Sequence, residues 1–512
     1  MRSRFVVLAA FAVALIAVAA FGPGSAAAAG GSADKPRTIV TTDPELDDLN
    51  SMIRFLLYSN EVQVEGLVYS SSQHHWSGDA TRPPKRWKAG QSHVEDALDV
   101  YERVYRNLRS HDRDYPTPGY LRSRYRVGNI VYEGDMAAST PGSQLIASVL
   151  LDDRPGPVFL QAWGGTNTIA RALKDIEEKY AGTRKWPAIH EKVSRKAIIT
   201  RFGAQDTTYA GYIAPAWPKI ENREVATTTW GYFTRNALQP EDAELVAPEW
   251  TRANVSSVGP FGELYRVWGD GKFMAEGFDN EDFFGFDTTL PENSREALIA
   301  RGYVVWSPLY PPGAFISEGD SSNFALLVDN GLRSHESATY GGWGGRQVRS
   351  ASNPYLYVAP AATAGDVKPG TTERPRDYAT ARWWRAIQMD FAARLRWSVT
   401  PRRSDANHEP TAFVPRSRLD ITVRPGQRVR LLGIGWDGDG DRVTSRWWQY
   451  PEAGTYPGTV QVAAVGSPRS PVAEFTVPAD AQRGQTIHVI YEVTDDGTPA
   501  LTSYQRVIAT VR

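Results

Sequence analysis

The residues best suited to chemistry lie near the start of the chain, in Thr41-Thr42-Asp43-Pro44-Glu45-Leu46-Asp47-Asp48. Asp43, Asp47 and Asp48 converge on one turn, and Glu45 sits beside them. Carboxylates crowded in this way repel one another unless a cation or sugar hydroxyls compensate. A second reading is open at this level. Asp47 and Asp48 fall in the first turn of a helix, where the dipole favours anions, so the cluster could be N-terminal capping alone.

Other stretches carry chemistry-bearing types. His74-His75-Trp76 follows the second strand on the same sheet edge, where a His could act as leaving-group acid or bind substrate; the alternative is a solvated loop pair. The eight His show no His-Glu-x-x-His or comparable zinc spacing. In Gly341-Gly342-Trp343-Gly344-Gly345-Arg346, four glycines let backbone approach a ligand, Trp343 could stack on a sugar face and Arg346 could orient it. The same stretch also reads as a structural turn with Trp343 packed inward. Asp437-Gly438-Asp439-Gly440-Asp441 superficially resembles a calcium loop, but an EF-hand would require Glu where Trp448 stands, so an Asx-rich hairpin is expected. Trp447 and Trp448 are adjacent on a strand and face opposite sides, one into a core, the other onto a sugar platform or an interface with the larger region.

The elements that position these residues follow a βαβ pattern. Thr38–Thr42, Val62–Tyr69, Val158–Trp163 and Lys196–Phe202 read as strands. Helical spacing recurs at Leu49, Ile53, Leu56 and Leu57, at Val94, Leu98, Tyr101, Tyr105 and Leu108, over about Asn167–Tyr180, and over Tyr378–Trp397. Strands alternating with helices imply a mainly parallel α/β sheet, whose carboxyl edge is where ligands bind. The aspartate cluster follows the first strand, at that edge. Pro401–Pro410 is polar, lacks apolar periodicity and reads as a linker. Beyond it, seven short alternating segments from Leu419 to Val511 predict an all-β immunoglobulin-like sandwich over residues 411–512.

Composition sets the frame. At roughly 150 residues per domain, 512 residues suggest about three domains, or one large and one small. Hydrophobic residues at 41% and charged residues at 22% are globular values and exclude a disordered, collagenous or polytopic membrane chain. A net charge of −1 gives nucleic-acid polymers no sequence-wide attraction. With no cysteine there is no disulfide, thiolate metal site or Cys nucleophile. Arg2 and Arg4, the apolar run Phe5–Phe21 and the Ala-x-Ala spacing at Ala27 and Ala29 read as a signal peptide over residues 1–29, cleaved rather than kept as a membrane anchor. A secreted protein is therefore expected.

The aspartate segment resembles the Asp-Pro-Gly-x-Asp-Asp motif of nucleoside hydrolases. Trp163-Gly164-Gly165-Thr166-Asn167 resembles that family's Gly-Gly-Leu-Thr-Asn turn, and Glu318-Gly319-Asp320 resembles its late aspartate. The resemblance is strongest to a subgroup of secreted proteins with a nucleoside-hydrolase-like domain and a C-terminal β-domain, some described as cellulose-binding. It includes Gly341–Arg346, Arg382-Trp383-Trp384-Arg385, Asp390-Phe391-Ala392-Ala393-Arg394 and Tyr450-Pro451-Glu452-Ala453-Gly454, and spans about residues 36 to 512.

The resemblance implies an α/β domain over residues 36–400 that binds Ca²⁺ through Asp43, Asp48, Asp320 and the Thr166 carbonyl, ligands that suit a hard cation. Asp43 would be the general base for a calcium-held water, cleaving an N-glycosidic or related bond through an oxocarbenium-like transition state. Asp47 and Asp320 would hold sugar hydroxyls, with Asn167, His75, Trp343 and Arg346 as further substrate-binding candidates. Glu45 replaces the family glycine, Gly319 stands where purine-cleaving members often have a His, and no clear Glu-Phe-Asn ribose element appears; Gln205-Asp206 is its candidate replacement. Two functions stay open: a calcium-dependent glycosyl hydrolase, and a polysaccharide-binding protein without turnover. Retention of the metal-type carboxylates favours the first.

Overall fold

The computed structural model describes residues 35–87, 89–226, 228–274, 280–467 and 470–512. The expected signal peptide, residues 1–29, lies outside the described residues.

Residues 36–512 form one compact unit. Its larger part is built on an eight-stranded sheet. The strands are β1 (Arg37–Thr42), β2 (Gln63–Tyr69), β3 (Tyr125–Val127), β4 (Val158–Ala162), β5 (Ala197–Arg201), β6 (Glu221–Glu224), β7 (Val348–Arg349) and β8 (Leu356–Val358). Their order is β3-β2-β1-β4-β5-β6-β8-β7, and only β7 runs antiparallel to its neighbour. β1, β4 and β5 are buried along their whole length, as strands covered on both faces must be. The chain builds outward from β1 through β2 to β3, then returns to β4 on the other flank of β1. The sheet thus has a topological switch point between β1 and β4, and a crevice forms there beyond the carboxyl ends.

One face of the sheet carries helices Leu46–Leu57, His93–His111 and Trp384–Val399 over a core that includes Phe55, Tyr101, Trp163, Phe324 and Phe391. The other carries Pro141–Leu151, Asn167–Tyr180 and Trp186–Lys196 over Ile39, Leu160, Leu173 and Ile199. The expected long helix Tyr378–Trp397 is two pieces, Tyr378–Ala381 and Trp384–Val399.

The C-terminal part contains β9 (Thr411–Phe413), β10 (Asp420–Val423), β11 (Arg428–Leu432), β12 (Ile434–Trp436), β13 (Thr444–Gln449), β14 (Ala463–Ala464), β15 (Val472–Thr476), β16 (Thr486–Thr494) and β17 (Thr502–Val511). They form sheets β10-β17-β16-β13, β11-β15-β14 and β12-β9, antiparallel except where β10 meets β17. Alternating residues Val429, Leu431, Phe475, Val489, Tyr491 and Val507 fill the interior between sheets.

The two parts share a core. Trp448 packs on Trp383 with ring centroids 5.7 Å apart, and the Tyr450 hydroxyl donates to Asp366 at 2.5 Å. Trp447 fills the sandwich interior, so neither indole forms an exposed sugar platform. The polar stretch Pro401–Pro410, expected as a linker, is held in place. Asn407 and His408 are buried, and Trp397 Nε1 donates to the Asn407 carbonyl at 2.8 Å.

Candidate functional site

β1 delivers Asp43 to the switch point, and β4 ends opposite it in Gly164-Gly165. Gly164 is there because nothing larger fits: a Cβ at this position would lie 2.8 Å from Asp43 Oδ1. Asp43 is fully buried. Its Oδ2 pairs with His75 Nδ1 at 3.0 Å, and its Oδ1 has no hydrogen-bond partner. His75 comes from the loop after β2, so the sheet edge brings together two of the residues singled out from the sequence.

The helix Leu46–Leu57 starts directly after the turn. Its N-cap residue Glu45 makes no side-chain capping bond. Asp47 Oδ2 accepts from Ser317 Oγ at 2.9 Å and from Gly319 N at 3.2 Å. Asp48 Oδ1 accepts from Thr42 Oγ1 at 2.5 Å and from Asp43 N at 3.2 Å. The carboxylates are therefore drawn across the crevice by β1 and by the 317–320 turn, which a helix cap does not require.

That turn is pinned from beneath. Arg54 and Glu318 form a buried ion pair, with Arg54 Nη2 2.9 Å from Glu318 Oε1 and 2.8 Å from Gln388 Oε1. Asp320, held next to Glu318, lines the cleft, and its charge and that of Asp48 act on each other. Like charges so placed need a proton or a cation to offset them.

The electrostatics follow from this crowding. Burial and then the charges of Asp320 and Asp43 push Asp48 well above the carboxylate range. Burial and the charges of Asp47, Glu45 and Asp43 do the same to Asp320. Glu45, half-buried, is pushed up by burial, Asp47 and Asp43. Asp47 rises to about 6, through burial opposed by its Ser317 hydrogen bond and reinforced by Asp43. Asp43 differs: burial would raise it, but the His75 hydrogen bond and charge hold it below its ordinary value. Among the described residues no Lys or Arg bonds to Asp43, Asp47, Asp48 or Asp320. Ligand atoms of Asp43, Glu45 and His75, and of Glu45, Asp47 and Asp48, lie within 4.8 Å of one another. With one orphaned buried oxygen on Asp43 and several carboxylates gathered without a cationic side chain, this donor set fits a hard cation.

The nest opens into a cleft of about 690 Å³. Glu45, Asp47, His75 and Asp320 face it, while Asp43 and Asp48 lie behind them. Its wall is aromatic. Tyr232 hydrogen-bonds to Asp47 Oδ1 at 3.3 Å and stacks on Phe284. Trp306 sits edge-on to Tyr232 with centroids 4.8 Å apart, and Phe202, Phe233 and Trp306 remain exposed at 44%, 41% and 36%. None of these aromatics was picked out from the sequence, because they come from loops far apart in the chain and share no spacing.

Three substrate-binding expectations are corrected. Asn167 is fully buried, and its amide is used up by Ser70, Ser71 and the Asn129 carbonyl, so it ties loops together instead of facing the cleft. Trp343 is in the core, edge-on to Tyr58, and does not line the cleft. Arg346 is buried against Asp366 at 2.8 Å, for the same reason: the glycine-rich stretch packs inward under β13 and β17. Thr166 starts the helix Asn167–Tyr180, its carbonyl accepting from Ala170 N at 2.8 Å and its hydroxyl bonding Asp206 at 3.0 Å. Asp206 also accepts the Asn167 N–H at 2.9 Å, so it holds the helix start, whereas Gln205 lines the cleft.

Both parts of the chain resemble known proteins. The family model described as "Cellulose-binding Sde182, nucleoside hydrolase-like domain" matches residues 37–347, and the one described as "Cellulose-binding protein Sde0182, C-terminal domain" matches residues 429–511. A solved nucleoside hydrolase-related hypothetical protein from Saccharophagus degradans, associated with carbohydrate metabolism, is 24% identical; the match covers 93% of this chain and 100% of that one, with a TM-score of 0.67. A plant nucleoside hydrolase is 12% identical over 71% of this chain and 99% of that one, with a TM-score of 0.30. No curated protein matches.

Proposed function

The chain belongs to the cellulose-binding Sde182 family with a nucleoside hydrolase-like domain, and from that premise we propose that its cleft takes a saccharide and, with calcium, hydrolyses a glycosyl bond. The observation that carries the proposal is the buried carboxyl nest opening on an aromatic-walled cleft at the switch point. Aromatic faces suit the apolar faces of sugar rings, and carboxyl groups suit their hydroxyls.

Asp43, Asp48 and Asp320, with the Thr166 carbonyl, would hold the ion, whose chemistry is to offset their charge and polarise a sugar or water oxygen. Asp43 uses Oδ2 for His75 and leaves Oδ1 for the ion. Asp43 is the general base for the attacking water, and its pair with His75 fixes that ring on the cleft wall. Asp47 and Asp320 accept sugar hydroxyls. Glu45, pushed upward by burial and then by the charges of Asp47 and Asp43, donates to the departing group. Carboxylates around the ring favour the oxocarbenium-like transition state.

A second reading, saccharide binding without turnover, is favoured by one observation: Asp43 lies behind Glu45 and His75 instead of on the cleft surface. The test is a panel of cello-oligosaccharides, other glycans and nucleosides, with and without calcium, scored for binding and for products. Calcium-dependent products that vanish in Asp43→Asn support hydrolysis. Binding with no product for any compound selects the second reading, and no binding at all refutes both.

A further inference from the structure

A second set of unpaired oxygens lies far along the chain, at the junction between the C-terminal strands and the 401–410 segment. Asp437 follows β12. Its Oδ1 accepts from Asp439 N at 2.7 Å and Asp441 N at 3.1 Å, while its Oδ2 is buried with no hydrogen-bond partner. Asp495 follows β16 and is 4% exposed. Its Oδ1 accepts from Leu501 N at 2.9 Å, Gly497 N at 3.0 Å and Asn407 Nδ2 at 3.2 Å, and its Oδ2 is again buried and unpartnered. Asn407, 8% exposed, spends its Nδ2 on Asp495 and on the Pro499 carbonyl at 2.8 Å. Because both those partners accept, the orientation of the amide is fixed, and its Oδ1 is the third orphan.

The register brings them together. A Cβ on Gly433 would meet the Tyr491 ring and one on Gly435 would meet the Val493 side chain, so β12 packs in step against the face of β16, from a different sheet. Two residues further on, the same step sets Asp437 beside Asp495. Gly497 closes the far side, where a Cβ would come 2.2 Å from Asn407 Nδ2. Asp495 feels the charge of Asp437, and Asp441 feels those of Asp437, Asp496 and Asp439. Neither basic group beside them supplies a charge: Arg442 is exposed and pairs with Asp496 at 3.0 Å, and the buried His408 ring, lowered by burial to about 4, is neutral where it bonds Asp439 at 2.8 Å.

A buried oxygen without a donor is costly, and three in one place, two of them on carboxylates, need a cation. We propose that Asn407 Oδ1, Asp437 Oδ2 and Asp495 Oδ2 form a calcium-binding site separate from the cleft. The ligands are hard oxygens, which calcium prefers. The three come from separate segments, so this is not the contiguous loop of an EF-hand. The ion fastens the 401–410 segment, itself held by Trp397, to two loops of the β-domain. It is a joint between the two parts of the molecule.

The test uses the full folded chain, stripped with chelator and dialysed against labelled calcium over about 10⁻⁵ to 10⁻² M, a range spanning the affinities of extracellular calcium modules. The Asp437→Asn/Asp495→Asn variant binds one equivalent fewer than wild type, and Asp48→Asn does not remove that equivalent. The difference stands whether or not the cleft holds an ion, so failure there and failure here are told apart. Equal calcium uptake by the double variant and wild type overturns the proposal. If the double variant does not fold, terbium emission decides. Trp436, exposed and adjacent to Asp437, sensitises the bound ion, and calcium-displaceable emission falls in Trp436→Phe. Emission unchanged by that substitution overturns it.

Discussion

Asp47→Asn is the substitution whose effect on the nest follows most directly from the structure. Asp47 is 7% exposed and its carboxyl titrates at about 6, against an ordinary value of 3.8. The sign follows from linkage. Because the folded value is raised, wild type gains a penalty as pH climbs from the unfolded value to the folded one, and carries it in full above about 7. The shift corresponds to about 3 kcal/mol at pH 8, and well under 1 kcal/mol at pH 4. Asn keeps the oxygen that accepts from Ser317 Oγ and Gly319 N, and its amide can donate to Tyr232, so the shape is retained. In chelator, Asp47→Asn should therefore be more stable than wild type at pH 8 and nearly equal at pH 4. For a unit spanning residues 36–512, an unfolding entropy of about 2 cal/mol/K per residue makes that a rise of about 3 °C in Tm. Calorimetry at the two pH values, with and without calcium, reads it; calcium should shrink the gain by offsetting the charge that Asn removes. A variant less stable than wild type at pH 8, or a gain independent of pH, would refute the argument that uncompensated charge governs this nest.

Three further outcomes are expected. Gly164→Ala pushes a methyl against Asp43 Oδ1 and should weaken calcium binding at the cleft at least about tenfold while far-UV dichroism stays unchanged. Arg54→Met leaves Glu318 buried and unpaired, and should cost about 3–5 kcal/mol in denaturant unfolding. Phe233→Ala and Trp306→Ala should each weaken saccharide binding roughly three- to tenfold, the worth of about 0.5–1.5 kcal/mol per aromatic contact, with far-UV dichroism unchanged.

Much of the central sheet was legible because buried parallel strands such as Thr38–Thr42 and Val158–Trp163 are short apolar runs between helical patterns. β6 was not: its sequence Glu-Asn-Arg-Glu carries no apolar signal, although Asn222 and Arg223 are buried by the strands on either side. β3, β7 and β8 are two or three residues long, too short for periodicity. Of the site, Asp43, Asp47, Asp48, His75 and Asp320 were all named from the chain, because they crowd one turn or follow strand ends. Trp343 and Arg346 misled, since a glycine-rich stretch permits either a ligand or another chain segment to approach, and here Gly341 meets Tyr450 of the β-domain while Gly342, Gly344 and Gly345 meet Ser334, Ser322 and Thr380 of the larger part. The aromatic wall of Tyr232, Phe233 and Trp306 is assembled only by tertiary folding, and so is the proposed Asn407–Asp437–Asp495 site, of which only Asp437 was read, as part of an Asx-rich hairpin.

The central claim is that the carboxyl nest holds calcium beside a bound saccharide. A crystal structure of the chain grown with calcium and a cello-oligosaccharide tests it most directly. The account predicts an anomalous calcium peak at about 2.3–2.6 Å from Asp43 Oδ1, Asp48 and Asp320, with a sugar ring between Asp47 and the Trp306 wall. A nest that holds no ion at saturating calcium, or sugar bound anywhere but this cleft, would contradict it.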